Sequence, residues 1–208
     1  MTENQKITKL FKKCLKNFNP PEKLTVTQWA DKYRYLSSEA SAMAGKYRSK
    51  QTPYMVSIMD AYSDPNVEKI FVVASSQVGK TESELNILGY IIDNEPCGVI
   101  FAVPTIQDAK DFAKERVMPM IRDNPTIRKK FGSIKSRDAS NTIREKTFPG
   151  GVLNIVGVNV ASQLASKPRR VVIGDEIDRW TGNTGGEGDP WGLLEALTMT
   201  FYNRKMIA

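Results

Sequence analysis

Five short apolar, β-rich runs punctuate the chain: 69–74 (KIFVVA), 98–103 (GVIFAV), 152–158 (VLNIVGV), 170–174 (RVVIG) and 205–208 (KMIA). They are too short and too continuously apolar for amphipathic helices, and suit strands buried on both faces of a parallel sheet. Between them the period lengthens. The segment 81–93 puts Leu85, Leu88 and Ile92 on one helical face. The segment 105–123 does the same with Ile106, Ala109, Phe112, Ala113, Val117 and Met120, and Pro119 predicts a kink or an end there. A further helix is predicted over 53–63, where Pro53 suits a first turn. Alternating strands and helices predict an α/β, doubly wound sheet.

The punctuation agrees. Phe148-Pro149-Gly150-Gly151 reads as a tight turn into the third strand. Residues 182–190 (GNTGGEGDP) read as a flexible loop before a short helix from Trp191. Near the start, Ile7, Leu10, Phe11, Cys14, Leu15 and Phe18 predict a short amphipathic helix broken by Asn19-Pro20-Pro21. The expected division is a basic N-terminal segment, 1–38, and a second unit, 39–208. The last run, KMIA, has no polar tail, which predicts a piece of a longer protein.

Composition narrows the chemistry. The chain has no histidine, which excludes Ser-His and Cys-His catalysis and any histidine-ligated metal. Cys14 and Cys97 have no metal-ligand spacing, and Cys97 reads as packing. No apolar run is long enough to cross a membrane and no signal-peptide core opens the chain, so the expected location is the cytoplasm. The net charge of +7 is uneven: residues 1–50 hold 11 Lys/Arg against 4 Asp/Glu, and the remainder balances. That segment is either a contact for a polyanion or a solvated helix face.

One stretch carries a chemical pattern. Residues 74–81, Ala-Ser-Ser-Gln-Val-Gly-Lys-Thr, match the phosphate loop G-x-x-x-x-G-K-[ST] except that Ala74 stands at the first glycine. The loop lies between a predicted strand and a predicted helix, where backbone N–H groups and the positive helix end point at a phosphate. Ser75, Ser76, Gln77, Val78 and Gly79 would line it, Lys80 would reach the β- and γ-phosphates, and the Thr81 hydroxyl would bind Mg²⁺. About ninety residues on, Val171-Val172-Ile173-Gly174-Asp175-Glu176 supplies a strand ending in acids. Asp175 would hold the Mg²⁺ and Glu176 would act as general base. Together they predict a P-loop NTPase of the ASCE type, with a central, mainly parallel sheet flanked by helices and ATP and Mg²⁺ as cofactors. Asp175–Asp178 also fits the DExD pattern of helicase-type motors, with Asp178 and Arg179 in the same cluster or in an ion pair on the next turn.

On these motifs the chain resembles the ATPase region of the phage terminase large subunit, in its lambda-type DNA-packaging branch. The matching stretches are PYMVSIMDAYSDPNVEKIFVVASSQVGKTE, VIFAVPTIQDAKDF, TFPGGVLNIVGVN, SKPRRVVIGDEIDRW and GGEGDP, over about residues 40 to 208. The resemblance implies a motor that hydrolyses ATP to drive double-stranded DNA, without sequence preference, into a procapsid through its portal. It also implies a small terminase subunit as partner and a homo-oligomer when packaging. It places Tyr47, Gln51 and Tyr54 near the adenine, whereas the residues by themselves favour a Tyr47 packed in the core and a Gln51 in solvent. Members often carry a basic residue inside the phosphate loop. Here Ser76 and Gln77 are uncharged, which leaves Arg169, Arg170 or a neighbouring subunit to supply a finger. The family's nuclease and coupling motif would lie beyond residue 208. The alternatives are an ATP-binding assembly module with little hydrolysis of its own, or a DExD-type helicase fragment.

Overall fold

The computed structural model describes residues 4–8, 10–11, 22–39, 41, 43–131, 142–164 and 167–208. Within the predicted first helix, 4–8 and 10–11 are helical, with Ile7, Leu10 and Phe11 exposed. Cys14, Leu15, Phe18 and the Asn19–Pro21 break lie outside the described residues.

Helix α1 (Val26–Tyr33) begins on a capping box: the Thr25 side chain accepts from the Gln28 N–H, and Gln28 accepts from the Thr25 N–H. A small hairpin, β1 (Tyr35–Leu36) with β2 (Gly45–Lys46), follows. A 3₁₀ turn at Pro53–Met55 leads into α2 (Val56–Ala61). The main sheet contains β3 (Lys69–Ile70), β4 (Gly98–Val103), β5 (Glu145–Phe148), β6 (Gly151–Gly157), β7 (Val171–Gly174) and β8 (Lys205–Ile207), in the order β3-β8-β7-β4-β6-β5. Every pairing is parallel except β5 with β6, the hairpin that Pro149-Gly150 closes with Gly150 at φ +84°.

Alternate residues of the strands serve two cores. Val99, Phe101, Val103, Leu153, Ile155, Val171, Ile173 and Ile207 face a thick helical layer. It contains α1, α2, α3 (Lys80–Asp93), α4 (Ile106–Phe112), α5 (Met118–Asp123) and α6 (Pro125–Lys130). Ile100, Ala102, Val156, Val172 and Met206 face α7 (Pro190–Thr198), Trp180 and Trp191. Because α1 packs in the larger core, with Trp29 fully buried, the segment before residue 39 is joined to the main unit at least from Val26.

Three expectations change. The run 69–74 is a strand only over Lys69–Ile70. It sits at the edge with a neighbour on one side, so Phe71 and Val73 are exposed rather than buried on both faces. Pro119 neither ends nor breaks its helix. The helix runs on from Ile106 to Asp123 through a π turn at Ala113–Val117, in which the Met118 N–H bonds to the Ala113 carbonyl, and this widened turn accommodates the proline's ring and missing N–H. Helix α3 is buried over Ser83–Ile92 all round, not along one stripe, because α1, α2 and α6 cover the side away from the sheet. No helix among the described residues is long and apolar enough to cross a membrane.

Candidate nucleotide site

The chain leaves β3 at Ile70 and runs along the sheet's carboxyl edge, where the Val72 N–H bonds to the Ala208 carbonyl. Ser75, Ser76 and Gln77 form an exposed loop. Gln77 adopts φ +59°, and Gly79 turns the chain into α3 at φ +91°, a left-handed conformation that glycine takes without strain. The first N–H groups of α3 therefore open toward the loop. Lys80 is half-buried and its ammonium donates to the Ala74 carbonyl at 3.1 Å, so the loop is closed over its own lysine. On the outer side the Tyr54 hydroxyl donates to the Val78 carbonyl at 3.1 Å.

Strand β7 delivers the acids to the same edge. The Asp175 N–H bonds to the Ala102 carbonyl at 2.9 Å, one step beyond the end of β7. The chain then turns sharply: Glu176 stands at φ +53°, ψ +46°, followed by a 3₁₀ turn at Ile177–Arg179. Trp180 folds back so that its indole N–H donates to the Asp175 carbonyl at 3.1 Å. A side-chain carbon at Gly174 would lie 2.8 Å from that ring, so the turn needs glycine there. A non-glycine residue held left-handed by its surroundings is a common mark of a functional position. Arg179 reaches back from the turn to an ion pair with the Glu176 carboxylate.

Loop and acids meet. The Thr81 hydroxyl donates to the Asp175 carboxylate at 3.2 Å. Lys80, Asp175 and Glu176 line one cleft of about 590 Å³ with Ala74, Glu84 and Asp178. Burial pushes the Asp175 carboxyl above its usual range, and Glu176 adds to this while the Thr81 hydroxyl and Lys80 oppose it. Glu84 is pushed well above the carboxylate range, chiefly by burial and then by Asp175. A hydroxyl and a carboxylate side by side are hard oxygen donors of the kind Mg²⁺ takes, so Thr81 and Asp175 fit the ion.

A second cavity of about 250 Å³ lies on the other side of the loop, lined by Tyr47, Gln51, Tyr54, Gln77, Gly79 and Glu82 among others. Gln51 is exposed. Tyr47 is buried, with its hydroxyl 3.4 Å from the Thr52 hydroxyl, so it forms a wall of this cavity and part of the core. Arg169 and Arg170 stand at the opposite end of the sheet. Arg169 binds the Asn154 side chain and Arg170 binds Glu95 and Tyr62, so neither reaches the cleft of its own chain. Glu84 escaped the sequence reading, because a glutamate inside a helix otherwise reads as a solvated position.

A mainly parallel sheet with β8 inserted between the loop-bearing β3 and the acid-bearing β7 defines an α/β P-loop NTPase. The family model described as phage terminase large subunit gpA, ATPase domain, matches residues 41–208, and the chain belongs to that family. The large terminase subunit of Enterobacteria phage P21 is 30% identical over 171 residues, covering 82% of this chain and 26% of the relative. That of Escherichia phage lambda is 28% identical over 177 residues, covering 85% and 27%. The chain thus spans about a quarter of the length of these relatives. Among solved structures, the HK97 bacteriophage large terminase matches with a TM-score of 0.65 at 12% identity, over 88% of this chain and 37% of that one.

Proposed function

We propose that this chain is the ATP-hydrolysing part of a DNA-packaging motor. The observation that carries the reading is the meeting of two distant motifs: Thr81, at the head of the loop helix, lies 3.2 Å from Asp175 in the cleft that also holds Lys80 and Glu176. The N–H groups at the start of α3 and the Lys80 ammonium would bind the phosphates once Lys80 lets go of Ala74. Ser75, Ser76, Gln77, Val78 and Gly79 would wrap them. The adenine would enter the second cavity, against Tyr54 and Gln51 with Tyr47 behind.

Glu176 takes the proton of the attacking water. The water oxygen bonds to the γ-phosphorus as the bond to the β–γ bridging oxygen breaks, and ADP leaves with that electron pair. Mg²⁺, held by Thr81 and Asp175, would neutralise phosphate charge during this step. Family membership supports double-stranded DNA as the moving polymer, contacted through its phosphates without regard to sequence. It likewise supports a small terminase subunit and a procapsid portal as partners, and a homo-oligomer as the working form.

ATP turnover measured with and without DNA at several protein concentrations tests the reading. Turnover is expected to rise with both. Glu176→Gln should leave Mg-ATP binding intact and lower turnover by about 10²–10⁴-fold, as loss of a general base does. A Glu176→Gln protein running at the wild-type rate would contradict the assigned role.

A further inference from the structure

Glu84 has no role in the chemistry above, yet it faces it. It lies on α3 one turn after Lys80, a spacing that puts the two side chains on the same helix face. It is only 7% exposed and lines the cleft with Lys80, Asp175 and Glu176. Its Oε2 is buried and has no hydrogen-bond partner among the described residues. A buried carboxyl oxygen without a partner costs stability, and an apolar side chain of similar volume at the same place would not. The one cation that lines the cleft with it, Lys80, donates instead to the Ala74 carbonyl.

The cleft indicates what would complete this group. Among the described residues no three acidic side chains converge closely enough to grip an ion directly. A magnesium ion, however, keeps several waters and is commonly held by one or two protein oxygens. Waters on an ion bound by Thr81 and Asp175 would present O–H donors to a carboxyl in the same cleft. We propose that Glu84 is a positioning residue for the divalent cation, accepting hydrogen bonds from its bound waters. The proposal rests on the reading of the cleft as a nucleotide site. The competing role is partner to Lys80, and the two separate cleanly, because Lys80 serves the phosphates whether or not metal is present.

The test uses the full chain, Mn²⁺ as the ion, and the variants Glu84→Gln, Glu84→Leu and Lys80→Ala. Free Mn²⁺ is followed by electron paramagnetic resonance in the presence of ADP. ADP affinity is measured separately in a chelator. Glu84→Leu should weaken Mn²⁺ binding to the ADP complex by about 10–100-fold, the usual effect of losing an outer-shell partner. Glu84→Gln, which keeps an acceptor oxygen but no charge, should fall between. Metal-free ADP affinity should not change, and the Tm of Glu84→Leu should equal or exceed the wild-type value. Unchanged Mn²⁺ affinity in Glu84→Leu overturns the proposal. So does an equal loss of metal-free ADP affinity, which would assign Glu84 to Lys80, or a lowered Tm, which would mark a structural role. Failure of the underlying reading looks different: the wild-type chain would then bind no Mn²⁺-ADP, indistinguishably from Lys80→Ala, and both ideas fall.

Discussion

On the proposed reading Lys80 and Glu176 serve opposite ends of one reaction, and substitution should separate them. Lys80→Ala is expected to weaken ATP binding itself, read by titration with a fluorescent nucleotide, whereas Glu176→Gln should lose turnover alone. That these residues meet Thr81 and Asp175 at one sheet edge was legible in the sequence, because each sits at a fixed offset from a strand end. Glu84 was not legible, since its burial comes from helices packing over α3. Arg169 and Arg170 misled for a related reason: they flank the right strand at its wrong end. Cys97 makes a separate, pH-dependent prediction. Burial, with Glu95 adding and Arg170 opposing, pushes its thiol up to about 11. A raised acid is neutral in the folded chain, so its share of stability is complete below the ordinary thiol range and is lost as pH rises toward 11. At pH 8 only about a thousandth is thiolate, against about a quarter for an ordinary cysteine. Peptide-resolved iodoacetamide labelling at pH 8 should therefore find Cys97 more than about 100-fold slower than a free thiol, with the rate climbing steeply above pH 10. Ordinary reactivity at pH 8 would show the thiol to be accessible and unshifted.

At the scale of elements, the site depends on how α3 is clamped. The far edge of the Trp29 ring of α1 packs against Gly89, and its indole N–H donates to Asp93 at 2.9 Å. A side-chain carbon at Gly89 would meet the Trp29 ring at 2.4 Å. Gly89→Ala sets two effects against each other: a gain of about 1 kcal/mol in helix propensity and, with an overlap this deep, an overpacking cost in the upper part of the usual range, about 2–3 kcal/mol. The ring is fully buried and cannot yield, so the clash should win. A Tm lower by about 2–8 °C is expected for a chain of this size, and an unchanged Tm would show that α1 can shift off α3. The packing that matters most here was the least visible in sequence. Helix α1 was not anticipated at all, and β5 only through the tight turn that precedes β6. Conversely, β4, β6, β7 and β8 were plain, because strands covered on both faces read as nearly continuous apolar runs, broken here only by Asn154 in β6 and Lys205 in β8.

For the whole molecule, the fold class and the order of motifs were readable from alternation alone, whereas the thick and thin sides of the sheet were not. Periodicity says that a helix is buried on one face without saying which helix covers it. The charge asymmetry belongs to this scale too. Residues 1–18 hold five lysines and one acid, and deleting them should weaken binding to double-stranded DNA. It should also reduce the slope of log affinity against log salt by up to about 4, since each phosphate contact contributes about 0.9. Unchanged affinity would remove that segment from the DNA surface. Whether the loop and the acid strand form one nucleotide site is decided by a crystal structure with a non-hydrolysable ATP analogue and Mg²⁺. Lys80 should have left Ala74 for the phosphates, the ion should lie between Thr81 and Asp175, and the adenine should sit beside Tyr54 and Gln51. Nucleotide bound elsewhere, or Lys80 still on the Ala74 carbonyl with the analogue present, would contradict a shared site.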